Sequence, residues 1–118
     1  MLSLSILLQR FAEELRRKTY YAFLIKGWER KICIVAEDLD RSYSLRFHPD
    51  GVQIAFWSEE ETPDLVVRGK EEDLLLLFGG EELTFLHVKD QIDTKGSVRD
   101  QLKLDALIRL AAAGAAAK

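Results

Sequence analysis

The sequence predicts an α+β domain in which a single sheet carries helices on one face. Three observations predict it. The hydrophobic period is helical near the amino end, switches to two over residues 32–56, and is helical again from residue 98. The segments of period two are joined by short turns, which builds an antiparallel meander. The chain has 118 residues and is 47% hydrophobic, enough for one core and too little for two.

Leu4, Leu7, Leu8, Phe11, Ala12 and Leu15 fall at helical spacing and predict an amphipathic helix over about 4–18. Ser3 or Ser5 can cap its start. Arg16, Arg17 and Lys18 close it, where the helix dipole favours cations. Tyr20 to Ile25 is apolar on all sides and reads as a short second helix or a buried connection, ended by Gly27. Ile32, Ile34 and Ala36 alternate weakly with Cys33 and Val35, as in a strand covered on both faces. After a turn at Asp38–Arg41, Tyr43, Leu45 and Phe47 alternate with Ser44 and Arg46, a half-exposed strand. His48-Pro49-Asp50-Gly51 is a turn by its residue chemistry, and Val52, Ile54 and Phe56 continue as a third strand.

Ser58 to Pro63 is a polar, acidic loop, and Asp64 to Arg68 a fourth strand ended by Gly69. Glu71, Glu72 and Asp73 open a helix at its positive end, Leu74 to Phe78 fill it, and Gly79-Gly80 stop it. Glu82 to His87 fits helix or strand. Val88 to Thr94 reads as the fifth strand, with Gly96 as a break. From Val98 the spacing is helical: Leu104, Leu107, Ile108 and Ala111 make one stripe, Leu102, Ala106 and Leu110 a second. Ala111 to Ala117 is a helix end of good helix formers.

Several function classes are excluded by composition. A net charge of −3 does not suit phosphate-backbone binding, so nucleic acid is not an expected partner. One Cys forbids an internal disulfide and a cysteine-based zinc site, and Cys33, inside Ile32-Cys33-Ile34-Val35, reads as a buried small hydrophobe. No apolar run approaches the ~20 residues of a membrane span. Leu2 to Leu8 is preceded by no basic residue and is not a signal peptide, so a cytoplasmic site is expected.

Catalytic chemistry finds little support. Glu72 and Asp73 are explained as favourable charges at a helix start, His48 belongs to a turn, and His87 stands at a core edge. No convergent ligand set for a metal is visible, and neither Gly69-Lys70 nor Gly79-Gly80 makes a phosphate loop. No enzyme, metal or cofactor is expected. Trp57 is out of phase with Val52, Ile54 and Phe56 and should cap the strand end on the other sheet face. The acidic run Glu59-Glu60-Glu61 argues against docking to anionic lipid on that side.

The anomaly is the breadth of apolar surface on two helices, since a surface helix needs a stripe of only ~100°. Helix 71–78 and the C-terminal helix both offer more. Either they are buried from two sides in a thick core, or their spare face lines a cavity or a partner surface.

Residues 64–110 resemble the sterol carrier protein 2 (SCP-2) family. The motifs are Asp64-Leu65-Val66-Val67, then Glu72-Asp73-Leu74, Leu77-Phe78-Gly79, Thr84-Phe85-Leu86, Ile92-Asp93-Thr94-Lys95-Gly96 and Lys103-Leu104, in that order. The meander before them also fits. The resemblance implies a five-stranded, mostly antiparallel mixed sheet with helices on one face, enclosing an apolar tunnel that binds fatty acids, acyl chains or other lipids without chemistry. It implies tunnel walls from Phe47, Ile54 and Phe56 of the sheet, Leu74, Leu77 and Phe78 of helix 71–78, Phe85 and Leu86, and Leu104, Leu107 and Ile108 of the C-terminal helix. Asp93 should face solvent. The ending Ala116-Ala117-Lys118 does not resemble a peroxisomal Ser-Lys-Leu address.

The function expected is that of a single-domain lipid carrier. A fully buried 16-carbon chain gains ~10 kcal/mol gross at ~0.8 kcal/mol per CH₂, which ordering costs reduce towards micromolar affinity. A head group would sit near Lys103, Arg99 or Arg109, unless these form only a solvated face. The alternative is an accessory protein holding an isoprenoid-quinone-type intermediate for partner enzymes, as some SCP-2-like assembly factors do. An exposed apolar patch would favour that alternative. Transient membrane contact fits either; the natural ligand and oligomeric state are not legible in the residues.

Overall fold

The computed structural model describes residues 3–116, so Leu2 and the final pair Ala117 and Lys118 lie outside the described residues. The elements are α1 (Leu4–Arg16), α2 (Tyr21–Leu24), β1 (Lys31–Ala36), a 3₁₀ turn (Glu37–Leu39), β2 (Arg41–His48), β3 (Gly51–Phe56), β4 (Leu65–Gly69), α3 (Glu71–Phe78), α4 (Leu83–Val88), β5 (Ile92–Gly96) and α5 (Val98–Ala116). The sheet order is β3-β2-β1-β4-β5. The meander supplies three neighbours; β4 then returns beside β1 as the one parallel pair, with Ile32 opposite Leu65 and Ile34 opposite Val67. β5 closes the other edge antiparallel to β4. This is the five-stranded mixed sheet that the sequence predicts.

Strand alternation sets the two faces. Ile32, Ile34, Leu45, Phe47, Leu65 and Val67 point to the helices and form one core with Leu4, Leu8, Phe11 and Leu15 of α1 and the buried stripes of α3 and α5. Ser3 accepts a hydrogen bond from the Ile6 amide at 3.3 Å and caps α1. On the opposite face Arg46, Gln53, Arg68 and Asp93 are exposed, as expected for Asp93. The β3–β4 connection has to cross β2 and β1, and it crosses on this face: Glu61 reaches Lys31 at 3.4 Å. That connection supplies the second cover over β1, and Cys33 is buried there as a free thiol.

The structure corrects two local expectations. The fifth strand is Ile92–Gly96, not Val88–Thr94, because α4 occupies Leu83–Val88 and a tight turn with Asp90 at φ +60° follows it. A buried carboxylate favours the helix: Asp105 accepts the Leu83 amide at 2.9 Å at the start of α4. Next, α1 stops at Arg16. Of the two readings of Tyr20–Ile25, the short helix holds: α2 forms, with Tyr21 and Ile25 inside and Phe23 78% exposed. Gly96 is required where it stands. It has φ +150°, and a Cβ there would come within 2.8 Å of the Leu65 side chain and 2.9 Å of the Asp64 carbonyl oxygen.

Candidate functional site

The interior between sheet and helices holds a cluster of aromatic and aliphatic side chains. Phe11 of α1 is its hub: its ring meets Phe47 edge-on at 6.1 Å and Phe78 at 5.4 Å, and Trp28 lies 5.3 Å from Phe47. Phe47, Leu74, Leu77, Phe78, Leu86, Leu104, Leu107 and Ile108 are buried together in this cluster. Ile54 is half-buried at its margin. Phe56 and Phe85 lie outside the interior, 73% and 46% exposed. Phe56 ends the edge strand β3 and stacks on Tyr43 at 5.6 Å; Phe85 is on the outer side of α4, with the Lys89 ammonium 4.9 Å from its ring.

The interior opens to solvent at a groove between α1, the end of α3, and α5. The groove holds about 340 Å³ and is lined by Leu7, Arg10, Phe11, Glu14, Phe78, Gly79, Ala111 and Ala112. Its floor, Phe11 and Phe78, belongs to the core itself. Local sequence makes the space. Ala111 and Ala112 present only methyl groups where a larger residue would close the gap. Gly79-Gly80 lets the chain turn away under α5, and a Cβ on Gly80 would stand 3.1 Å from that of Ala112. At the rim, Arg10 and Glu14 are one helical turn apart, and Glu14 also pairs with Arg17 at 3.2 Å. Of the residues expected to line a ligand site, this groove includes Phe78. Sequence reasoning missed Leu7, Arg10, Phe11 and Glu14, because the apolar stripe of α1 reads as ordinary core. The Ala pair was the available signal, and it reads equally as helix propensity.

A larger recess of about 620 Å³ beside β4 and β5 is walled mainly by charged side chains, among them Glu37, Arg68, Asp73 and Asp93, and does not suit an apolar ligand. The buried acids are engaged structurally. Asp100 accepts the Trp28 indole N–H at 2.7 Å and Arg30 Nε at 3.2 Å. Asp105 holds the Leu83 amide and pairs with Arg109 at 3.3 Å. Asp73 accepts Gln91 Nε2 at 2.7 Å. Arg109, an expected head-group residue, is thus held by Asp105 and by Glu82. His48 lies between Glu29 and Asp50 beside the β2–β3 turn, and His87 Nδ1 is 3.2 Å from the Ile92 carbonyl oxygen. Among the described residues no group of His, Cys, Asp and Glu is arranged to hold a metal ion, and no helix is long and apolar enough to cross a membrane.

Comparison with known proteins gives a consistent picture. The SCP-2 sterol transfer family matches residues 9–109. No curated protein matches the chain in sequence. Several solved structures share its fold. A UbiJ-SCP2 ubiquinone synthesis protein superposes with a TM-score of 0.74 at 18% identity, covering 84% of this chain and 86% of that one. The sterol carrier protein domain 2 of Helicoverpa armigera gives 0.67 at 16% identity, over 94% and 90%. Apo sterol carrier protein 2 from Yarrowia lipolytica gives 0.64 at 15% identity, over 91% and 90%.

Proposed function

The chain belongs to the SCP-2 sterol transfer family, a family of lipid-binding and lipid-transfer domains, and from that premise we propose that it carries an apolar chain in the groove between α1, α3 and α5. The observation that carries this reading is the groove floor: two buried aromatic side chains of the core, Phe11 and Phe78, lie at the bottom of a recess between three helices. Binding is burial rather than catalysis. The groove, about 340 Å³, is at the small end of the ~300–1,000 Å³ typical of ligand sites, so it takes part of a long chain at rest. About eight methylenes removed from water contribute ~6 kcal/mol gross. Displacing the Phe78 or Phe11 ring would let the chain run on between Leu77, Leu107 and Ile108, the walls expected from the sequence. Arg10 at the rim suits an acidic head group, in place of Lys103, Arg99 or Arg109. Selectivity among chain lengths is low, because one methylene distinguishes ligands by only ~1 kcal/mol. No bond is made or broken in this reading, and a cytoplasmic site of action goes with it.

A second reading has its own support. The fold shared with a ubiquinone synthesis protein, together with apolar side chains left exposed on α4 and α5, favours an accessory role in which the groove holds an isoprenoid tail for a partner enzyme. Mass spectrometry of the organic extract of freshly purified protein separates the two. A stoichiometric fatty acid supports the carrier, and an isoprenoid supports the accessory role. An empty extract, with no binding of added fatty acid or isoprenoid, refutes both.

A further inference from the structure

We propose that the edge strand β3 pairs with β3 of a second copy of this chain, joining two sheets across a two-fold axis. β3 has β2 as its neighbour on one side and no strand on the other. The ladder with β2 defines which backbone groups face the edge. The Trp57 amide donates to the Ser42 carbonyl oxygen at 2.9 Å, so the Trp57 backbone turns to β2. Backbone direction alternates along an antiparallel strand. Ala55, Gln53 and Gly51 therefore also turn their backbone groups to β2, and Val52, Ile54 and Phe56 present theirs at the edge. Among the described residues no second strand or turn takes up those edge groups.

Sheet edges are ordinarily guarded by charge, proline or a bulge. β5, the other edge, carries exposed Asp93 and Lys95. β3 has no such guard. Gly51 to Trp57 reads Gly-Val-Gln-Ile-Ala-Phe-Trp, without a charge or a proline. Its register with β2 runs unbroken from His48–Gly51 to Tyr43–Phe56. Gln53, Ala55 and Phe56 are all exposed. An uncharged, exposed run of strand-forming residues is a template for another strand.

The strand is complementary to itself, which decides the occupant. An antiparallel copy must keep the side chains of one face together, so the two-fold axis falls at a residue and not between two. With Ile54 at the axis, Ile54 meets Ile54 of the second copy, Val52 meets its Phe56, and Gln53 meets its Ala55. Every residue whose backbone faces the edge then finds a partner in one ladder, and no charge is opposed. The Phe56 ring, which stacks on Tyr43 at 5.6 Å and is otherwise largely exposed, gains a second neighbour. An axis at Gln53 would instead set Phe56 against Asp50, in the turn before the strand. Pairing β3 with β3 uses up both unguarded edges and closes as a dimer. Joining β3 to β5 would set it against Asp93 and Lys95 and leave edges for further growth. One strand pair covers less than the ~1,200 Å² of standard interfaces, so the association is weak, in the micromolar range.

The test is sedimentation velocity from low micromolar to submillimolar concentration, without lipid, so it does not depend on the groove. The wild-type chain is expected to pass from monomer to dimer. Ala55→Lys guards the edge at an exposed position and should weaken dimerisation by roughly tenfold or more. Ile54→Pro should do the same, because it removes the amide donor at the axis and leaves the ladder to β2 intact. Phe85→Lys, at an exposed aromatic on the outside of α4, should change nothing. Circular dichroism confirms that the variants fold; Ala55 is exposed, so Ala55→Lys decides the matter even where Ile54→Pro unfolds. Disulfide trapping reads the register. A mixture of Gln53→Cys and Ala55→Cys chains should cross-link on mild oxidation, since opposed residues hold their Cα atoms within the ~4.4–6.8 Å that a disulfide spans. Neither variant alone should cross-link as fast. A wild-type chain that stays monomeric throughout overturns the proposal, as does growth beyond the dimer. So does undiminished association of folded Ala55→Lys, loss of the dimer in folded Phe85→Lys, or Gln53→Cys alone cross-linking as fast as the mixture.

Discussion

Closing the groove without disturbing the core would test the ligand site directly. Ala112 stands half-buried in its wall, and Ala112→Phe would place a ring over the Phe11–Phe78 floor. A phenyl group there displaces about four methylenes of a bound chain. At ~0.8 kcal/mol each that is ~3 kcal/mol, about a hundredfold in Kd. The cost to the fold should be small, ~1 kcal/mol, since the new ring can lie along an open groove rather than inside a packed core. Gly80 lies beneath this residue, so Leu7→Phe, from the opposite wall, provides an independent plug. The assay is displacement of a fluorescent fatty acid, with thermal unfolding measured in parallel. Wild-type affinity in both variants, with both folded, would refute the groove as the site. Leu77 would be a poorer choice although helix 71–78 is where the sequence points. It is completely buried, and Leu77→Arg would put an unpaired charge into the core, so lost binding would report only lost structure.

Other consequences are as direct. Asp100→Ala leaves the buried Trp28 N–H without its acceptor and should cost ~2–3 kcal/mol in urea unfolding; a loss below ~0.5 kcal/mol would show that water replaces the carboxylate. Burial pushes the Cys33 thiol up, so native-state labelling should be slow and should accelerate on unfolding; fast labelling would contradict the packing of the β3–β4 connection over β1. Burial also pushes the Tyr21 phenol up to about 12. The folded state holds the proton more tightly than the unfolded one, so this stabilisation is fully present below about pH 10 and is lost as pH rises towards 12. It is worth of order 2 kcal/mol, and Tyr21→Phe should flatten that part of the stability–pH curve; identical curves would refute it.

The parts of the fold written in periodicity were legible. Strand alternation places Ile32, Leu45 and Phe47 on one face, and helical spacing places Leu104, Leu107 and Ile108 inward, as observed. What pattern alone could not supply was the pairing of distant polar groups. α4 begins where Asp105 offers a carboxylate to Leu83, twenty-two residues earlier, and nothing near Leu83 announces it. The fifth strand shifted for that reason. Phe56 and Phe85 read as lining residues, yet stand at the end of an edge strand and on the outside of a short helix, 73% and 46% exposed, beside Tyr43 and Lys89. The groove escaped notice because it is made by small side chains, and an absence of bulk leaves no hydrophobic signal. Nor does periodicity announce Trp28, whose indole N–H ties α5 to the chain ahead of β1.

The single parallel pair also dictates an order of assembly. β2 and β3 meet across a two-residue turn, His48 facing Gly51, and can close on each other within microseconds. β1 finds β4 only after Ile32 meets Leu65, across an intervening stretch that includes both meander strands and the crossing connection. Loop-closure entropy sets that contact late, and the centre of the finished sheet is therefore the seam that zips last. Pulse-labelled amide exchange during refolding would show the hairpin protected first and Val66 and Val67 of β4 afterwards; simultaneous protection would mean that the hairpin has no head start.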